Sequence, residues 1–68
     1  MPSSVIRQFA YDPARHELDV TFVSGRIYRY FEVPETIADR LTRAVSKGRY
    51  FNTRIRNRFA FEEVGTLH

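Results

Sequence analysis

Between Glu17 and Val33 the chain alternates apolar and polar residues, breaks at a glycine and resumes, and this pattern constrains the fold more than any other feature. Leu18, Val20 and Phe22 alternate with Glu17, Asp19 and Thr21, as in a strand with one apolar and one polar face. Ser24-Gly25 interrupts the run, and Ile27 to Val33 continues it with Tyr28-Arg29-Tyr30-Phe31 inside. A three-residue loop Ser24-Gly25-Arg26 with a glycine-dependent bulge sets Val23 against Ile27, Phe22 against Tyr28 and Val20 against Tyr30. A two-residue loop would slip the register by one and turn both tyrosines to the other face. The first register is preferred because it gathers Leu18, Val20, Phe22, Tyr28 and Tyr30 on one face.

Upstream, Ser3 to Tyr11 reads as a strand, with Val5, Phe9 and Tyr11 alternating with Ser4, Gln8 and Ala10. Asp12-Pro13-Ala14-Arg15 has the chemistry of a type I turn and makes a hairpin corner. Downstream, Val33-Pro34 ends the extended run and opens a helix, with Glu35 and Thr36 at its positive end. Ile37, Leu41, Ala44 and Val45 form its apolar stripe, Arg40 and Arg43 flank that stripe, and the helix is expected to run to about Ser46. Lys47 then sits at the negative end and Gly48 supplies a left-handed cap.

The stretch from Arg49 to Phe61 admits two readings. As a strand it puts Arg54, Arg56 and Arg58 on one face; as a helix capped by Asn52 it packs Phe51 and Ile55 at a four-residue spacing and leaves Arg54 and Arg58 outside. The helix is preferred. The expected class is α+β: a three-stranded antiparallel β-meander packed by one α-helix, followed by a short basic helix or turn segment. One domain accounts for residues 1–68, with 1–3 and 65–68 expected to fray.

A chain of 68 residues buries only about 60% of its unfolded surface, so most large apolar side chains are committed to the core. There is no cysteine, hence no disulfide and no thiolate metal site, which suits a reducing compartment, and cytoplasm is the expectation. No apolar run of about 20 residues is present to span a bilayer, and the N-terminus does not read as a secretory signal.

Charge divides the chain. Residues 1–39 carry four arginines against six carboxylates, and residues 40–68 carry seven cations against Glu62 and Glu63, so the halves have net charges of −2 and +5. No acid lies between Arg40 and Phe61, and a polyanion is the natural partner of such a segment. Ten of the eleven basic residues are arginine, whose planar fork grips phosphate and stacks on bases, although GC-rich coding also favours arginine.

An ordered set of local features resembles the KTSC domain family, named for its occurrence at the C-terminus of some lysyl-tRNA synthetases and found also as stand-alone bacterial proteins. The central Tyr28-Arg29-Tyr30 matches its Tyr-x-Tyr mark. Ser3-Ser4, Tyr11-Asp12, Leu18-x-Val20-x-Phe22, Ser24-Gly25, Val33-Pro34, Ser46-Lys47-Gly48-Arg49-Tyr50-Phe51-Asn52 and Ile55-Arg56 carry the resemblance over nearly the whole chain. It implies no established activity; attachment to a tRNA-handling enzyme suggests RNA as a ligand.

Catalytic parts are missing. His16 sits beside a turn and His68 ends the sequence, which leaves no paired base and nucleophile and no spacing for a metal site. No enzyme activity, cofactor or metal is expected. The Gly-x-x-x-x-Gly-Lys-Ser/Thr phosphate loop is also absent. The first expectation is a binder of RNA, including tRNA, or of single-stranded nucleic acid. It would use Arg40, Arg43, Lys47, Arg49, Arg54, Arg56 and Arg58 on phosphates, with Tyr50 and Asn52 contacting bases. The alternative is a protein-interaction module for an acidic partner. Tyr28 and Tyr30 could serve as a stacking platform, but the preferred register places them under the helix as architecture.

Overall fold

A computed structural model describes residues 6–66; the expectations for residues 1–5, 67 and 68 lie outside them. Strand β1 (Ile6–Asp12) pairs with β2 (Glu17–Phe22), β2 with β3 (Arg26–Tyr30), and β3 with β4 (Phe61–Thr66). The result is a four-stranded antiparallel sheet in the order β1-β2-β3-β4. Between β3 and β4 the chain forms two helices, α1 (Glu35–Arg43) and α2 (Lys47–Arg54). The α+β class is as expected, with one strand more than the sequence suggested, and the basic segment read as a short helix or turn forms a second helix that starts earlier than expected.

The hairpin between β2 and β3 keeps both tyrosines on the core face but pairs two residues away from the expected register. Leu18 stands opposite Tyr30 and Val20 opposite Tyr28. The loop is Val23-Ser24-Gly25, closed by the Gly25 N–H donating to the Phe22 carbonyl at 2.8 Å. Gly25 has φ 96°, so the three-residue loop places its glycine last, where the left-handed residue of such a turn belongs, and not in the middle. A two-residue shift preserves side-chain parity, and the apolar face survives the correction.

That face carries Phe9 and Tyr11 from β1, Leu18 and Val20 from β2, and Tyr30 from β3; Leu18, Val20 and Tyr30 are buried. α1 supplies Leu41, α2 supplies Phe51 and its C-cap residue is Ile55, all buried, so the core lies between the sheet and the helical layer. The corner after β1 is an Asx turn, the Asp12 carboxylate accepting from the Ala14 and Arg15 N–H groups at 3.0 and 3.4 Å. Val33 is held on both sides. Its N–H donates to the His16 carbonyl at 2.9 Å, and its carbonyl accepts from the Tyr11 hydroxyl at 2.6 Å. The shared residues Tyr11 and Val33-Pro34 therefore tie the start of α1 to the first hairpin.

α1 ends earlier than expected. Ala44 is already extended, with φ −65° and ψ 139°, and Val45 is fully exposed, while Ala38 takes the core position assigned to the end of the stripe. The segment read as a helix stop is a helix start: the Ser46 hydroxyl accepts from the Arg49 N–H at 3.3 Å and caps α2. Gly48 lies inside the first turn of α2, and Asn52, expected as a cap, lies within the helix. Ser and Gly at the junction of two short helices fit either terminus, and the hydroxyl bond decides between them. Ser46→Ala is expected to lower stability by about 1 kcal/mol, measured as a shift of the urea midpoint with an unchanged slope.

β4 was not foreseen. Gly65 and Thr66, expected to fray, pair with Ile27 and Arg26, and Phe61 pairs with Tyr30, with a bulge opposite Ile27 and Tyr28.

Candidate functional site

The sheet face next to β4 leaves a concavity of about 470 Å³ between β3, the end of α2 and the turn that follows it. Buried Phe51 and Tyr30 form its floor, and Phe22 and Tyr28 line it from the sheet. The rings pack at edges and faces: Phe51 lies edge-on to Phe22 at 5.5 Å and to Tyr30 at 5.3 Å between centroids. Phe61 opens β4, stacks on Tyr28 at 5.4 Å with 19° between the planes, and reaches Tyr30 at 5.2 Å. It keeps 49% of its surface exposed, so one side of the stack faces solvent.

Ser24 and Arg26 from the β2–β3 hairpin, and Arg56 and Asn57 from the turn after α2, complete the lining. Asn57 has φ 66°, a left-handed conformation that asparagine tolerates and that turns the chain out of α2 toward β4. Arg56 is steadied by a bond from its guanidinium to the Asn52 side-chain oxygen at 3.2 Å. Among the described residues, no carboxylate lines the groove.

Burial is the main cause that pushes the Tyr30 phenol up to about 12, with the Arg56 charge acting in the opposite direction. The Tyr11 phenol is raised as well, by burial and then by the carboxylates of Glu35 and Asp12. Both tyrosines are neutral at physiological pH. A phenol whose folded pKa exceeds its unfolded value contributes stability that is complete below the unfolded value of 10.0 and is lost as pH rises through the folded value. Urea unfolding between pH 10 and 12 is expected to show this decline, and Tyr30→Phe is expected to flatten it.

Among the residues expected from sequence to contact nucleic acid, only Arg56 lines this groove. Arg40 and Arg43 lie on α1, Lys47, Arg49 and Arg54 on α2, and Arg58 in the turn beyond it. Arg40, Arg49, Arg54 and Arg58 are exposed and form no ion pair with a carboxylate among the described residues. Arg43 is held by Asp39 at 3.3 Å, and the Lys47 ammonium donates to the Ala44 carbonyl at 3.3 Å. Asn52 is half-buried beside Arg56. Tyr50 is partly buried against the core, with its hydroxyl oxygen buried and without a hydrogen-bond partner among the described residues, while Phe61 keeps about half of its surface exposed.

One cation of the sheet, Arg29, is treated differently. Arg29 is clamped by Asp19 at 2.9 and 3.1 Å and lies 3.7 Å from Glu17, on the sheet face away from the helices. The Asp19 bond is the first cause that raises its pKa. Among the described residues, no group of three His, Asp or Glu side chains could hold a metal ion, and no helix is long and apolar enough to cross a membrane.

The sequence-nominated groups missed Arg26 and Phe61. Neither belongs to the basic run, and both reach the groove only through strand pairing: Arg26 opposes Thr66 and Phe61 opposes Tyr30.

The chain is similar to known proteins over most of its length. A model described as the KTSC domain matches residues 2–59. The lysine–tRNA ligases of Nostoc punctiforme and of a second Nostoc species are 43% and 41% identical over 61 residues, 90% of this chain. The chain spans 11% of the length of those ligases. A protein of Stutzerimonas stutzeri is 44% identical over 52 residues, covering 76% of this chain and 73% of its own length. The crystal structure of a KTSC domain protein from Yersinia pestis superimposes with a TM-score of 0.87 at 35% identity, over 96% of this chain and 92% of that one.

Proposed function

We propose that this chain, which belongs to the KTSC domain family, is a non-catalytic module that binds RNA or other single-stranded nucleic acid through the basic side of its helical layer. The carrying observation is the state of its cations. Arg40, Arg49, Arg54 and Arg58 stand exposed on α1, α2 and the following turn without carboxylate partners among the described residues, whereas Arg15 and Arg29 are engaged by Asp12 and by Asp19 with Glu17. Exposed unpaired arginines on adjoining elements raise the local potential and release counterions when phosphates replace solvent ions. The ligases named above act on tRNA by their names, which makes tRNA the first ligand to try; the short shared segment leaves the rest of their activity outside the argument.

The test is a filter or shift assay with tRNA and a homopolymer RNA at low salt. Binding is expected, with log affinity falling linearly against log salt at a slope of about −0.7 for each phosphate neutralised on a single strand. Failure of both RNAs to bind at low salt overturns the reading. Recovery of one stoichiometric acidic protein in that case would favour the interaction module.

A further inference from the structure

The aromatic groove is distinct from the run of cations that carries the electrostatic argument, and its chemistry is more specific. It presents rings with an exposed face, two guanidinium groups, one amide and the hydroxyls of Ser24, Tyr28 and Tyr30, and no acid among the described residues. A volume of about 470 Å³ falls in the range of about 300–1,000 Å³ typical of small-ligand sites. Rings bind any planar base by stacking, and arginine binds phosphate through paired N–H donors. An apolar peptide side chain would satisfy the rings and make no use of the guanidinium groups beside them.

We infer that the groove binds one nucleotide, its base stacked on Phe61 beside Tyr28 and its phosphate held by Arg26 and Arg56. Asn57 and Ser24 offer donors and acceptors to the polar edges. Phe61 suits the platform role because its ring is fixed from beneath by Tyr28 and Tyr30 while it stays half exposed, so stacking costs little ordering. The Tyr-x-Tyr thus supports a binding surface from below. This inference rests on the nucleic-acid reading for its polymer form, in which the nucleotide is one unit of a single strand.

The chain contains no tryptophan, so Phe61→Trp gives a single indole reporter on the proposed platform. Titration of that full-length variant with adenosine and uridine 5′-monophosphates is expected to quench its emission, and inorganic phosphate alone is expected not to. In RNA binding by the otherwise natural chain, Phe61→Ala is expected to weaken affinity about 5- to 150-fold, the effect of losing one base stack. Phe61→Tyr restores it. Arg26→Gln with Arg56→Gln is expected to make the salt slope shallower by about 0.7, the one phosphate that the pair holds, whereas Phe61→Ala leaves the slope alone.

RNA binding that ignores Phe61→Ala, with no quenching by either mononucleotide, overturns the groove and leaves the basic surface standing. Quenching by mononucleotides without any RNA binding keeps the groove as a nucleotide site and overturns the polymer reading. Circular dichroism of each variant must match the natural chain, and Phe61→Tyr guards against a folding artefact.

Discussion

Replacing Phe51 by alanine is expected to leave the domain largely unfolded at 25 °C. The ring is 1% exposed and packs edge-on to Phe22 and Tyr30, so truncation removes buried area, a cavity's worth of contacts and two aromatic pairs. Such changes cost about 3–5 kcal/mol. A domain of this length holds roughly 3–10 kcal/mol in total. Phe51→Leu, which keeps most of the apolar volume, is expected to retain a cooperative melt at a lower midpoint. Thermal unfolding followed by far-ultraviolet circular dichroism separates the two, and an alanine variant with a near-natural midpoint would show that the helical layer does not depend on this residue.

The second large effect falls on binding and leaves folding alone. Converting Arg40, Arg49, Arg54 and Arg58 together to glutamine touches exposed side chains, whose individual costs in stability should stay within about 0.5 kcal/mol. For RNA the account expects the salt slope to become shallower by as much as about 2.8, the sum of four single-strand phosphate contacts. Extrapolated from 1 M down to 50 mM salt, that slope corresponds to a loss of up to roughly three and a half orders of magnitude in affinity. Arg43→Gln alone should do less than any one of the four, because Asp39 already occupies its guanidinium. Equal effects from Arg43 and Arg54 would mean that ion pairing on α1 does not shape the interface.

The sheet was legible in sequence where alternation and turn chemistry agreed. Leu18, Val20 and Phe22 gave β2 and its facing, and Asp12-Pro13 gave the corner after β1. Gly25 even held the information that fixes the register, since a left-handed residue closes a three-residue hairpin loop; centring the loop on it displaced the pairing by two. β4 had no such local signal. Phe61-Glu62-Glu63-Val64-Gly65-Thr66 has adjacent charges, a glycine and a bulge, and it becomes a strand because β3 offers it an edge. The α1–α2 junction was ambiguous for a different reason: serine and glycine serve at either end of a helix, and the chain used Ser46 to start one.

The candidate site divides along the same line. The basic helical layer could be read from the acid-free run between Arg40 and Phe61, because charge adds along a sequence without knowledge of the fold. The groove could not, since Arg26 and Tyr28 of β3, Arg56 of the turn after α2 and Phe61 of β4 meet only when β4 closes the sheet. Tyr28 and Tyr30 were recognised as architecture; what they build could be seen only with Phe61 in place.

Amide and side-chain shift mapping of the full chain with single-stranded RNA tests the central claim most directly, because it reports both whether binding occurs and where. Shifts are expected to concentrate on α1, α2 and the turn through Arg58, continuing into the groove at Arg26, Tyr28 and Phe61. Shifts confined to Gln8, Asp19 and Arg29 on the opposite sheet face, or no shifts at low salt, would contradict it.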